Sequence, residues 1–203
     1  VQSRANISKP VPAVERIILG VDPGSTIMGY CLLRSRGKEA FVMTSGVLRL
    51  SQYGEHYQRL TAIFHRLNQV VTEYRPDELA IESPFFGKNV QSMLKLGRAQ
   101  GVAITVALTR GMPVQEYSPR KIKQVITGNG NASKEQVAKM LPSLTTMLNL
   151  PETLDETDAL ATALCHHIER QRPLGPSVSP ARKAKQAMSW KQFLDQNPER
   201  LKP

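Results

Sequence analysis

Apolar and polar positions along this chain follow two periods, and the switches between them mark out the elements. Residues 16–22 are almost continuously apolar up to Asp22, the pattern of a central strand buried on both faces. Pro23-Gly24 turns the chain, and Met28–Leu33 and Ala40–Leu50 read as two further strands. Their connection, Arg34–Glu39, contains Gly37, so the three are expected to form an antiparallel meander. From Glu55 the period becomes helical: Tyr57, Leu60, Ile63, Phe64, Leu67, Val70, Val71 and Tyr74 share one face, and Pro76 stops the run. Glu78–Glu82 is a short buried strand after that helix, predicted to lie parallel to the first.

Asn89–Thr109 is a long helix in which Gly97 and Gly101 suit close helix–helix approach, and Met112–Tyr117 is a fifth strand. Ser133-x-x-Gln136 and Thr153-x-x-Glu156 match capping boxes. The first opens a helix toward Leu141, the second one with Leu160, Ala161, Leu164 and Ile168 on its apolar face. The predicted order is β-β-β-α-β-α-β-α-α, an α/β domain with a five-stranded mixed sheet flanked by helices. It spans residues 15–171, after a loose lead at 1–14 and before a Pro-, Ser- and Lys/Arg-rich tail at 172–203 that reads as flexible.

Composition narrows the function classes. With 203 residues and 40% hydrophobic content, the chain can bury one full core. No apolar run approaches the roughly 18 to 20 residues of a membrane span, and residues 1–10 lack a signal-peptide core, so a cytoplasmic location is expected. Cys31 and Cys165 lie in apolar stretches and read as buried thiols; with His166-His167 they offer no zinc spacing. The formal net charge of +10 is unevenly spread. Residues 83–134 carry eight Lys/Arg against Glu116 alone, whereas residues 135–171 hold six acids against Lys139 and Arg170. A basic surface around a local acidic cluster suits a polyanionic substrate handled by a metal-dependent enzyme.

Four carboxylates supply that cluster. Asp22 and Glu82 each end a buried strand, and Asp155 and Asp158 open the last helix on one face. Each has an ordinary reading: an Asx turn, a solvated strand end, complements to a helix dipole. Yet parallel first and fourth strands bring Asp22 and Glu82 to one edge of the sheet, the edge at which open α/β sheets bind ligands. Grouped there, the four would repel unless a cation compensates, and carboxylate oxygens suit Mg²⁺ or Mn²⁺. Two such ions roughly 3.5–4 Å apart would stabilise the attacking and leaving oxygens of phosphodiester cleavage. The stretch Thr127–Lys134 is glycine-rich but lacks the phosphate-loop pattern, and reads as a flexible basic loop that contacts DNA.

With these residues in view, the chain resembles the RuvC family of Holliday-junction resolvases, which are RNase H-like. The resemblance rests on Ile18-Leu19-Gly20-Val21-Asp22-Pro23-Gly24-Ser25 with Gly29-Tyr30, on Ala80-Ile81-Glu82 with Phe85, and on Lys88-Asn89. It continues through Ser92-x-Leu94-Lys95-Leu96-Gly97-x-Ala99-x-Gly101, Glu116-Tyr117, Lys123-Gln124, Gly128-x-Gly130, Lys134-x-Gln136-Val137 and Asp155-x-x-Asp158-Ala159-Leu160-Ala161. Ser83-Pro84 departs from the family pattern, and the basic tail extends past its usual end.

The resemblance implies a Mg²⁺-dependent endonuclease of DNA recombination and repair. It acts as a homodimer, cutting opposed strands of a four-way junction and leaving 5′-phosphate and 3′-hydroxyl ends. The family carboxylates fall on Asp22, Glu82, Asp155 and Asp158; its DNA-contacting lysines fall on Lys123 and Lys134, and its branch-point aromatic on Phe85. Lys88, Lys95, Arg98 and Lys121 are further candidate DNA contacts, and the branch-migration proteins RuvA and RuvB are implied partners. The helix Asn89–Thr109, with Met93, Leu96, Gly97 and Gly101, is the candidate dimer interface. A sugar-kinase or actin-like ATPase, which also begins with a strand ending in Asp-x-Gly, would need a second phosphate loop and an adenosine motif that the chain does not display.

Overall fold

The computed structural model describes residues 14–84, 89–147 and 151–172. The elements run β1 (Glu15–Asp22), β2 (Ile27–Arg36), β3 (Glu39–Arg49), α1 (His56–Tyr74), β4 (Glu78–Glu82), α2 (Val90–Leu108), β5 (Val114–Tyr117), α3 (Pro119–Thr127), α4 (Lys134–Leu144) and α5 (Leu154–Gln171). The strands form one sheet in the order β3-β2-β1-β4-β5. β1, β2 and β3 pair antiparallel, as the meander requires; β1–β4 and β4–β5 are parallel, so the sheet is mixed.

Strand alternation sorts the core into two layers. Ile18, Cys31, Leu33 and Ala80 face α3, α4 and α5, packing on Ile122, Val137, Leu160 and Leu164. Leu19, Val21, Leu32, Leu79 and Ile81 face α1 and α2, against Ile63, Leu67, Ala103 and Val106. The central strands are therefore apolar on both faces, which is why β1 shows no alternation in sequence. α1 opens on a reciprocal Glu55–Gln58 capping box and closes at Arg75, a left-handed residue at φ 48°. α4 opens on the expected Ser133–Gln136 box.

Two features differ from the sequence reading. α3 was not predicted, although its signals are in the chain: Ser118 caps it by accepting from the Lys121 N–H, Pro119 opens it and Gly128 closes it at φ +77°. Nine residues with only Ile122 and Ile126 buried make too short an apolar period to stand out. β2 runs past Leu33 to Arg36, because Arg34, Ser35 and Arg36 pair with Ile17, Arg16 and Glu15 despite their polarity. On α2, Gly97 and Gly101 stand open: among the described residues a Cβ at either would meet nothing within 4 Å. α2 packs inward through Ala99, Ala103, Val106 and Ala107.

Candidate active site

The parallel register of Gly20 with Ala80 and Val21 with Ile81 carries Asp22 and Glu82 out side by side at the C-terminal edge of the sheet. The Ser83 N–H donates to the Tyr117 carbonyl at 2.8 Å, so pairing continues past Glu82 and Pro84 leaves that strand end undisturbed. α5 brings its N-terminal turn to the same edge. Asp22, Glu82 and Asp158 line one cleft of about 130 Å³ together with Lys123 from α3 and Lys134 from α4. Asp155 does not line it; it stands beside Asp22, close enough for its charge to act there.

Burial and mutual repulsion govern this cleft. Asp22 is pushed up to about 6, by burial first and then by the negative charges of Asp158 and Asp155, with Lys134 opposing. Glu82 is pushed up to about 8 by burial and by Asp22 and Asp158, against Lys134 and Lys123. Lys134 ion-pairs Asp158. Burial pulls its own pKa down, but the hydrogen bond to Asp158 and the charges of Asp158, Asp22 and Glu82 outweigh that and raise it. Among the described residues no three Cys, His, Asp or Glu side chains are already gathered at metal-ligand spacing. An all-oxygen donor set in which burial and neighbouring negative charge hold Asp22 and Glu82 toward the protonated form still fits a hard divalent cation, whose charge would oppose those shifts.

The other sequence candidates are placed less uniformly. Lys121 points away and pairs with Glu169 at 2.7 Å. Lys95 and Arg98 lie on the exposed side of α2, apart from the cleft; Arg98 lines a groove with Leu60, Phe64 and Gly101. Phe85 and Lys88 lie outside the described residues. The glycine-rich loop is tied down rather than loose: Gln124 donates to the Gly128 carbonyl at 2.6 Å and accepts from the Gly130 N–H at 3.0 Å.

Two anchoring networks escaped the sequence reading. Glu156, buried between the two aspartates in sequence, turns away from the cleft and accepts from the Ser45 hydroxyl at 2.8 Å, fastening the start of α5 to β3. His166 bridges the Tyr117 hydroxyl at 2.8 Å and the Glu78 carboxylate at 2.6 Å, and Arg170 also reaches Glu78. A glutamate opening a buried strand and a histidine on an apolar helix face are the only signals of this second network in the sequence.

A family model described as crossover junction endodeoxyribonuclease RuvC matches residues 18–166. The chain belongs to the RuvC family. The Christiangramia forsetii RuvC protein is 50% identical over 195 residues, covering 96% of this chain and 97% of that one. Thermus thermophilus RuvC superposes with TM-score 0.69 at 31% identity, over 76% of this chain and 95% of that one. The T. thermophilus RuvC structure in complex with a Holliday junction substrate gives 0.71 at 30% identity, over 77% and 95%. The RuvC relatives share the five-stranded mixed sheet with flanking helices described above.

Proposed function

We propose that this protein resolves four-way DNA junctions in recombination and repair by hydrolysing phosphodiester bonds in opposed strands, in the bacterial cytosol. The observation that carries the reading is the convergence of Asp22, Glu82 and Asp158 with Lys123 and Lys134 in one cleft at the sheet edge. Asp22, Glu82, Asp155 and Asp158 would hold two Mg²⁺ ions, or Mn²⁺ in their place. Bound there, the ions supply Lewis acidity to the phosphate and lower the pKa of a water molecule.

The chain's own residues do the rest. A cation held there would offset the burial and the neighbouring negative charges that raise Asp22 and Glu82, favouring their ionised forms. Lys134, released from Asp158, would be free to pair with a phosphate oxygen, and Lys123 reaches the same strand from α3. Water oxygen bonds to phosphorus as the P–O3′ bond breaks; the leaving O3′ takes up a proton, giving 5′-phosphate and 3′-hydroxyl ends. Phe85, three residues beyond Glu82, stacks on an unpaired base at the branch point. Two copies pair through α2, where Val90, Leu94 and Leu108 are exposed at 64, 51 and 59%, and Gly97 and Gly101 leave room for a second helix. RuvA and RuvB are the family's branch-migration partners.

The test is incubation with a synthetic four-way junction and with a linear duplex, each with and without Mg²⁺. Paired symmetric nicks on the junction in Mg²⁺ alone are expected. Cutting of the duplex at a comparable rate, or cutting in chelator, overturns the reading.

A further inference from the structure

Asp22 has no side chain beside it on its own face of the sheet in two directions. Alternation along β1 puts Ile18, Gly20 and Asp22 on the face covered by α5, so the neighbour two residues back is a glycine. Across the β1–β2 ladder the partner of Asp22 is Gly29. Into the space these glycines leave comes one row of α5: Asp155, Ala159 and Ala163, spaced four apart. A Cβ on Gly29 would lie 2.0 Å from the Asp155 carbonyl oxygen and 3.4 Å from the Ala159 Cβ. A Cβ on Gly20 would lie 2.3 Å from the Ala159 carbonyl oxygen, 2.7 Å from the Ala163 Cβ and 2.9 Å from the Ala163 nitrogen. Most of these neighbours are helix backbone, which no side-chain rotation can move aside.

We propose that Gly20 and Gly29 are positioning residues of the active site: their missing Cβ atoms set the height of α5 above the sheet, and so the span from Asp155 and Asp158 to Asp22. A single added methyl requires α5 to lift by about 1 Å to reach an allowed contact, since close-packed interiors offer no slack. That lift acts on the turn carrying both helix carboxylates, because the Gly29 contact is to Asp155 itself. The strand carboxylates Asp22 and Glu82 stay where the ladders hold them, so the four donors separate along the one direction that matters. A displacement of that size can cost on the order of a hundredfold in rate even when every reacting group is present. Glycine at these two positions thus fixes the donor geometry as well as permitting dense packing.

The inference rests on the metal reading above, so its test measures metal binding directly. Mn²⁺ is titrated into the full chain without DNA, by calorimetry and by loss of the free-ion paramagnetic resonance signal, for wild type, Gly20→Ala and Gly29→Ala. Each variant is expected to keep its fold, to bind Mn²⁺ at least tenfold more weakly and to cut junctions roughly a hundredfold more slowly. Junction affinity in chelator should stay within twofold. Leu67→Ala, in the core on the opposite face of the sheet, serves as a control; it should lower Tm while leaving Mn²⁺ affinity within twofold. If Gly20→Ala does not fold, Ala163→Ser adds one heavy atom to the same contact, and a several-fold loss of Mn²⁺ affinity is expected. Folded variants that bind Mn²⁺ and cut like wild type overturn the proposal, as does an equal loss of Mn²⁺ affinity in Leu67→Ala. If wild type itself shows no Mn²⁺ binding that Asp22→Asn removes, the metal reading has failed, a result distinct from failure of the glycine seat alone.

Discussion

Glu82 is the residue at which function works most directly against stability. Its carboxyl is pushed up to about 8, so the metal-free native protein keeps a proton there that the unfolded chain releases near pH 4.5. Stability from this group is therefore fully present below about pH 4.5 and is lost as pH rises through 8. Glu82→Gln removes the liability. In chelator at pH 8.5 the variant should be more stable than wild type by about 1–3 kcal/mol, a Tm gain of roughly 3–10 °C, and the gap should close toward pH 4.5. Thermal melts across pH check this; a gap that persists unchanged at pH 4.5 would point to packing rather than protonation. The variant should not cut. Asp22→Asn should likewise abolish cutting while junction affinity stays near that of wild type, because binding draws on the basic surface. Cleavage at wild-type rate by Asp22→Asn in Mg²⁺ would remove Asp22 from the site.

At the scale of elements, α3 and α4 form the cationic wall of the cleft, delivering Lys123 and Lys134 opposite the strand carboxylates. Each phosphate contact releases counterions, so Lys123→Ala should weaken junction binding for every sequence and reduce the slope of log affinity against log salt by about 1. Lys121→Ala, whose ammonium is held by Glu169, should leave the slope close to wild type. Filter binding between 50 and 200 mM salt separates the two, and equal slopes for both variants would count against the cleft assignment. These neighbouring lysines look alike in sequence. The 100° turn per residue of α3 and the acid on α5 distinguish them.

At the scale of the whole molecule, symmetric nicking requires two sites facing opposed strands, which a two-fold dimer provides. The exposed apolar side of α2 makes Leu94→Arg the informative change. Sedimentation at micromolar concentration should show a dimer for wild type and a monomer for the variant, with single rather than paired nicks on junctions. A wild-type monomer would remove α2 as the interface.

Strand continuity, helix periods and capping signals are local, so the chain by itself determined the α/β class, nearly every element and the four carboxylates as strand-end and helix-start residues. The motif around Asp22 and the Asp155-x-x-Asp158 pair carried the family as well. What depended on tertiary structure was everything set by distances between elements far apart in sequence. These include the approach of α5 to Gly20 and Gly29, the anchoring of His166 to Glu78 and Tyr117, the turning of Glu156 to Ser45, and the partition of the lysines into cleft and periphery. None of these leaves a periodic trace, because each depends on how high a helix sits over the sheet and which way it is rotated there. That height and rotation are fixed only when the two core layers close together.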